Sequence, residues 1–318
     1  MPRELFEAGL IVDTLRQDPD EVPGDTIGWD LDIFEMAKLP FEVHIRGVHT
    51  SHLQLSSMHY HAAVMIDGSY PDGSVTFSSV QTSGLIHEKN RSYGNHDIII
   101  LNDNKPFDLI ISKPCRIYTL AIEKEILERE FEALFKVPFE EVYKKQNIYL
   151  DPEESEACHT RFIEQMVMLK HGSEKRIFGK EDYAELEITI LRKLLASFRF
   201  RPREISCLPK YIRDGRILLR RNINATYTIA DLIDDLRISK RTIQHGFKHY
   251  LGFTPKEYQQ HIRLNGIRKS ILETRDPLIT LSEIAANYNY THPGHFSAEY
   301  KKFFGESPSE TLRRVRNN

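Results

Sequence analysis

Two stretches in the last third of the chain carry the same pattern, and that repeat constrains the fold more than any other feature of the 318 residues. The first copy, TIADLIDDLRISKRTIQHGFKHYLGFTP, runs from Thr228 to Pro255. The second, TLSEIAANYNYTHPGHFSAEYKKFFGESP, runs from Thr280 to Pro308. Aligned on their threonines, Ile229 matches Leu281, Leu232 matches Ile284, Leu236 matches Tyr288 and Ile238 matches Tyr290. After the turn the second copy is one residue longer, and then Ile243 matches Phe296, Phe247 matches Tyr300 and Gly252 matches Gly305. Each copy reads as two short helices meeting at a tight turn, a helix-turn-helix unit.

The local chemistry supports that reading. Thr228 is a good N-cap, with Asp231 adding negative charge to the first turn. The helix then presents Ile229, Leu232, Ile233 and Leu236 to a core. Ser239 caps the next helix, whose Ile243 and Phe247 point inward, leaving Lys240, Arg241, Thr242, Gln244, His245 and Lys248 toward solvent. A polar helix face is usually just a solvated one. Here the cap, the turn and the repeat point instead to double-stranded DNA, where a helix fits the major groove, Arg bonds guanine O6/N7 and Gln bonds adenine N6/N7. Pro209–Arg221 is expected to form a first helix. Pro255 to Glu273 reads as one rod with Tyr258, Ile262, Ile267, Ile271 and Leu272 inward, roughly 27 Å long at 1.5 Å per residue. Such a rod can hold two recognition helices about one DNA turn, roughly 34 Å, apart.

Charge divides the chain in the same place. From Pro209 onward 19 basic side chains face 11 acidic ones, a net +8, whereas the remainder carries −11. A basic polyanion-binding module joined to an acidic partner domain fits this division. The acidic part is β-rich. VHIRGVH, HLQLSS, AAVMIDG, SVTFSSV, HDIIILN, FDLIIS and CRIYTLAI follow one another between Phe41 and Ile122, separated by turn residues such as Tyr70–Gly73, Asn102–Asn104 and Lys113-Pro114. Many short strands at even spacing predict a sandwich or jelly-roll barrel. Residues 1–40 read as irregular. Helical periodicity begins at Lys124 (Ile126, Leu127, Phe131, Leu134, Phe135) and returns over Pro152–Lys170 and Tyr183–Phe200. The last two helices suit an ordinary buried face or a homodimer contact equally. The expected fold class is α+β: a β-barrel or jelly-roll-like regulatory and dimerisation domain with flanking helices over 1–200, a linker over 201–208 within the Pro-flanked stretch Arg199–Pro209, and an all-α double helix-turn-helix domain over 209–318. No apolar run spans a membrane, the first residues are not a signal peptide, and Cys115, Cys158 and Cys207 read as scattered reduced thiols, so the expected location is the cytoplasm.

From about Pro209 to Arg316 the sequence resembles the AraC/XylS family of bacterial transcription regulators. The residues that carry the resemblance are ADLIDDLRISKRTIQHGFKHYLGFTPKEYQQHIRLNGIRKSIL and LSEIAANYNYTHPGHFSAEYKKFFGESPSETLRR. More weakly, residues 29–135 are similar to the β-barrel sensing domain often attached to such regulators. The resemblance implies a sequence-specific DNA-binding transcription regulator, usually an activator that contacts RNA polymerase, whose N-terminal domain senses a small-molecule effector, dimerises or does both.

The units depart from that pattern. Ile233 stands where Ala is usual, and Arg237 where Gly is usual, so a positive φ at Arg237 would cost on the order of 1 kcal/mol; Asn289, in the same place of the second unit, tolerates that conformation better. The outward Pro293, Gly294 and Ala298 of the second unit offer no side-chain hydrogen bond. The first unit is therefore expected to discriminate bases, and the second to hold phosphates through His292, Ser297, Lys301 and Lys302.

Histidines supply a rival reading. His44, His49, His52, His59, His61, His87 and His96 crowd the N-terminal half, and His59 and His61 would share one strand face. An HxH pair in a cupin-type barrel can hold a metal, which would make the chain a metal-binding sensor or enzyme domain fused to a DNA-binding module. No Glu follows HYH at short range, however, and the apolar AAVMI suggests ordinary packing. With no phosphate loop, dinucleotide fingerprint or nucleophile elbow in the sequence, neither an enzyme nor a cofactor is expected, and no metal.

Overall fold

The computed structural model describes residues 5–37, 40–89, 91–102, 106–174, 180–202, 208–274 and 278–317. The expected linker core at 203–207, with Cys207, and part of the Asn102–Asn104 turn lie outside them.

Four layers stack on one another. The centre is a pair of antiparallel sheets built from β1 (Ile11–Arg16), β2 (Asp30–Glu35), β3 (Val43–His49), β4 (Leu53–Tyr60), β5 (Val64–Ser69), β6 (Ser74–Thr82), β7 (Ile86–Glu88), β8 (Arg91–Tyr93), β9 (Ile98–Leu101), β10 (Phe107–Ile111) and β11 (Cys115–Glu123). The six-stranded sheet has the order β1-β3-β4-β11-β6-β9, and the five-stranded sheet the order β2-β5-β10-β7-β8. Alternation along each strand sends one set of residues between the sheets, including Val43, Ile45, Ile66, Leu109, Ile111 and Ile117. It sends the other set to the outer faces. The expected barrel is therefore an open jelly-roll-like sandwich: the strands β1 to β11 form two separate sheets, with no closure among the described residues.

Outside the six-stranded sheet lie α2 (Lys124–Phe135), α3 (Phe139–Lys145), α4 (Ser155–Glu174) and α5 (Lys180–Leu195), which follow the short α1 (Val22–Asp25). They bury Leu127, Phe131, Phe162, Met166, Leu169, Ile190 and Leu195 against Phe77, Tyr118 and Leu120. A two-stranded ribbon, β12 (Gln146–Leu150) with β13 (Phe198–Pro202), closes this layer. Two expectations are corrected here. Residues 1–40 contain β1 and β2, and the helix expected to reach Phe200 ends at Leu195, because Phe198 and Phe200 pair with Leu150 and Ile148. The start of the expected linker stretch is thus strand as far as Pro202.

The fourth layer is all helix: α6 (Lys210–Arg221), α7 (Ile229–Leu236), α8 (Lys240–Leu251), α9 (Pro255–Glu273), α10 (Leu281–Ala286), α11 (Pro293–Phe304) and α12 (Pro308–Asn317). It lies on the outer face of the five-stranded sheet, where Met36, Met65 and Ile110 join the core of Ile212, Leu232, Phe247 and Tyr258. A second core, around Leu264, Ile267, Phe296, Tyr300 and Phe303, belongs to the second unit. No described helix is long and apolar enough to cross a membrane.

Candidate nucleic-acid interface

Each unit is built by its caps. The Thr228 hydroxyl accepts from the Asp231 amide at 3.2 Å, while the Asp231 carboxylate accepts from the Thr228 amide at 2.7 Å, a reciprocal capping box. Thr280 and Glu283 repeat it in the second unit, and Thr254 and Glu257 start α9 in the same way. Ser239 caps α8 through the Thr242 amide. His292, at the corresponding position of α11, makes no such bond, and Pro293 occupies the first turn, where its missing N–H does no harm. The turns also agree with expectation: Arg237 sits at φ 52° and Asn289 at φ 65°. Gly246 lets α8 lie close on α6, since a Cβ there would meet the Tyr211 hydroxyl at 2.5 Å and Ile212 Cδ1 at 2.8 Å.

Ile243 and Phe247 are fully buried, which turns the rest of α8 outward. Lys240, Arg241, Thr242, Gln244, His245 and Lys248 are all exposed on it, and Thr242 also shares a hydrogen bond with Ser239 at 2.8 Å. In the second unit His292, Pro293, Gly294, Ser297, Ala298, Lys301 and Lys302 are likewise exposed, around the buried Phe296 and Tyr300. Each group thus shares one helix surface, the first rich in long hydrogen-bonding side chains and the second poor in them at its leading end. The rod joining the units is α9, a single helix of 19 residues.

The remaining surface of the helical layer is tied to the sandwich by ion pairs that the sequence reading missed. Arg216 of α6 is almost fully buried; it grips both oxygens of Asp108 and donates to the Lys89 carbonyl at 2.8 Å. Arg220, one turn on, bridges Asp67 and Asp108, two carboxylates that face each other across β5 and β10. Under the second unit Arg268 of α9 reaches Asp18 at 2.9 Å, Asp20 at 3.1 Å and Glu306 at 2.6 Å. Arg314 of α12 pairs with Asp18, and Lys269 with Asp32 at 2.6 Å. Asn265 covers the free edge of β2, accepting from the Glu35 amide at 3.0 Å and donating to its carbonyl at 2.9 Å. Burial pushes the Glu35 carboxyl up to about 8 and Asp20 up to about 7, against the pull of Arg268. The signal for this junction was in the sequence: two parts of opposite net charge are complementary to each other as well as to outside partners.

The histidines do not converge. His59 and His61 lie with ring centroids 4.4 Å apart. His44 instead pairs with Asp13 at 2.9 Å, His49 with Gln54 at 2.7 Å, and His87 with the backbone of α8. Among the described residues no group of three or more His, Cys, Asp or Glu could hold a metal. Cys115 and Cys158 are buried, and burial raises the Cys115 thiol to about 12.

A helix-turn-helix domain model matches residues 232–314. The chain is similar to a probable thc operon regulatory protein of Rhodococcus erythropolis, at 35% identity over 108 residues that make up 34% of this chain and 32% of the relative. It is also similar to XylDLEGF operon transcriptional activator 1 of Pseudomonas putida, at 23% identity over 241 residues, 72% of this chain and 71% of the relative. Among solved structures, a probable AraC family transcriptional regulator from Rhodopseudomonas palustris is 28% identical, with 34% of this chain and 98% of that chain covered and a TM-score of 0.32. The match to the Rhodococcus relative thus spans about a third of that protein's length.

Proposed function

We propose that this chain, whose helical domain is an AraC-type helix-turn-helix domain, is a transcription regulator that binds duplex DNA through α8 and α11 and answers to a small molecule held in its sandwich. The single observation that carries the DNA reading is the exposed row Lys240, Arg241, Gln244 and Lys248 on a capped helix whose opposite face is buried. Side chains of those types, on a helix narrow enough for the major groove, make bidentate pairs: Arg donates to guanine O6 and N7, and Gln donates to adenine N7 while accepting from its N6 amino group. Lys301 and Lys302, beyond the featureless start of α11, suit phosphates. Activation of an operon, named for the Pseudomonas relative, would add a contact with RNA polymerase.

The sensing role is supported by a cavity of about 40 Å³ between the sheets. Its wall is apolar (Leu31, Ile66, Leu109, Ile117), with Glu88, Ser78, Thr119 and Trp29 as the polar-tipped members. It has room for a few atoms, so a larger effector enters only by parting the sheets. The five-stranded sheet is both the wall of this cavity and the seat of the helical domain. On β7, Ile86 faces the sandwich core and Glu88 lines the cavity, while His87 between them faces α8. An open groove of about 900 Å³ beside α4, lined by His96, Arg116 and His159, lies on the other sheet and shares no wall with the helical domain.

Selection by the full-length chain from a randomised duplex library at low salt tests the DNA reading. An enriched motif is expected. Gln244→Ala or Arg241→Ala should relax base preference by about 1–3 kcal/mol per lost bidentate contact, whereas Lys301→Ala should weaken all sequences alike. A folded chain that prefers no duplex over random competitor overturns the proposal.

A further inference from the structure

The last carbonyls of an α-helix have no partner within the helix and must find one elsewhere. In α8 one of them, the Tyr250 carbonyl, accepts a hydrogen bond from His87 Nε2 on β7, in the other domain. The Ser92 hydroxyl donates to His87 Nδ1 at 2.9 Å, which leaves the ring proton on Nε2, where the helix end needs it. Burial holds this imidazole down at about 4, so it is a neutral donor at pH 7. Two residues further on, Gly252 closes the helix at φ 82°, and a Cβ there would meet Ser112 Cβ at 2.7 Å. Ser112 is in turn fixed to Leu85, its amide donating to the Leu85 carbonyl at 3.1 Å and its hydroxyl accepting from the Leu85 amide at 2.7 Å. The C-terminal end of the first recognition helix is therefore seated on the sandwich by one directed hydrogen bond and one close backbone approach.

We propose that His87 is a positioning residue for DNA recognition: by holding the C-terminal carbonyl of α8, it sets the attitude at which Lys240, Arg241 and Gln244 meet the bases. The inference rests on the DNA reading above and deepens it. Geometry gives it leverage. A helix of 12 residues is about 18 Å long, so a tilt of about 5° at the seated end moves the base-reading end by about 1.5 Å. That displacement exceeds the window of roughly half an ångström within which a bidentate hydrogen bond keeps its geometry. Among the described residues no hydrogen bond from the sandwich to a backbone carbonyl holds the end of α11, and Gly305 has nothing within 4 Å of a built Cβ. The effect should therefore be confined to the bases under the first unit.

The test repeats the duplex selection with the full chain carrying His87→Leu, His87→Gln or Ser92→Ala. His87→Leu should change base preference at least several-fold at the positions that Gln244→Ala also affects, and leave the other half of the motif as in the wild type. His87→Gln, whose amide can donate to the same carbonyl, should restore the wild-type preferences. Ser92→Ala removes only the bond that fixes the ring proton on Nε2; it should shift the same positions less, and it keeps the test decisive if His87→Leu fails to fold. Unchanged preferences in the folded His87→Leu chain, or in Ser92→Ala if His87→Leu does not fold, overturn this inference alone. A uniform loss across all positions also overturns it, by reducing His87 to a structural role. A wild-type chain that enriches no motif overturns the DNA reading, and this inference with it.

Discussion

The two helix-turn-helix units share a design and differ in how they are held. The first is seated broadly: Arg216 and Arg220 on Asp108 and Asp67, Met65 and Ile110 in its core, and the end of α8 on His87. The second hangs from a compact ionic knot in which Arg268 serves Asp18, Asp20 and Glu306 together, with the buried carboxyl of Glu35 near by. The first unit also has the richer polar face. On the proposed reading, base discrimination falls on the unit that is also seated more broadly on the sandwich, while the second is placed by the α9 rod and one charge cluster.

Removing one partner from each junction should have the largest effect. Arg268→Met leaves Asp20 without its partner and Asp18 and Glu306 with, among the described residues, the half-exposed Arg314. Breaking a buried pair from one side typically costs about 3–5 kcal/mol. Arg216→Met should cost less, because Arg220 still bridges Asp108 and Asp67. Urea-unfolding midpoints of the two variants check the order, and an equal or larger loss for Arg216→Met would break the comparison.

A smaller effect sharpens it through pH. Glu35 is held near pKa 8 by burial, well above its ordinary value near 4.5, with Asp18, Asp20 and Glu306 disfavouring its charge and Arg268 favouring it. A carboxyl whose pKa is raised on folding stabilises the protein below its unfolded pKa. That contribution is lost as pH rises toward the folded pKa, at about 1.4 kcal/mol per pH unit for one proton. Wild-type stability should therefore fall between pH 6 and pH 8, and Glu35→Gln should flatten the profile over that range. Thermal melts across the range decide the matter; a variant that falls as steeply as the wild type would remove Glu35 from the account.

How much of this could be read in the sequence follows from the range of the forces involved. Caps act over three or four residues, so Thr228 with Asp231 could be found from spacing, whereas the left-handed Arg237 and Asn289 were legible only through the resemblance, which puts glycine at that place of the turn. The strands β3, β5 and β6 announce themselves by their β-branched residues. β2 does not: in DLDIFE the acids alternate with apolar residues, and Asp32 is turned toward Lys269, 237 positions away in the chain. The β12–β13 ribbon pairs segments some fifty residues apart, and Phe198 and Phe200 completed a helical period well enough to pass as helix. His87 looked like one of a metal-ligating set because its partner is a backbone carbonyl, which no side-chain pattern encodes.

The smallest expected effect compares the two turns directly. Arg237, at the end of α7, and Asn289, three residues beyond α10, both take a positive φ in the turn of their unit, but an ordinary side chain pays about 1 kcal/mol for that conformation, whereas asparagine adopts it at little cost. Glycine has no Cβ to clash there, although it loses more backbone freedom on folding. Arg237→Gly should therefore raise the stability of the full chain, by at most about 1 kcal/mol, and Asn289→Gly should change it by no more than a few tenths of a kcal/mol, because both residues already accept the left-handed region. Paired thermal melts would measure the difference. If the two substitutions gave equal shifts, the strain would lie elsewhere than in the turn, and the first unit would owe its departure from glycine to no backbone cost at all.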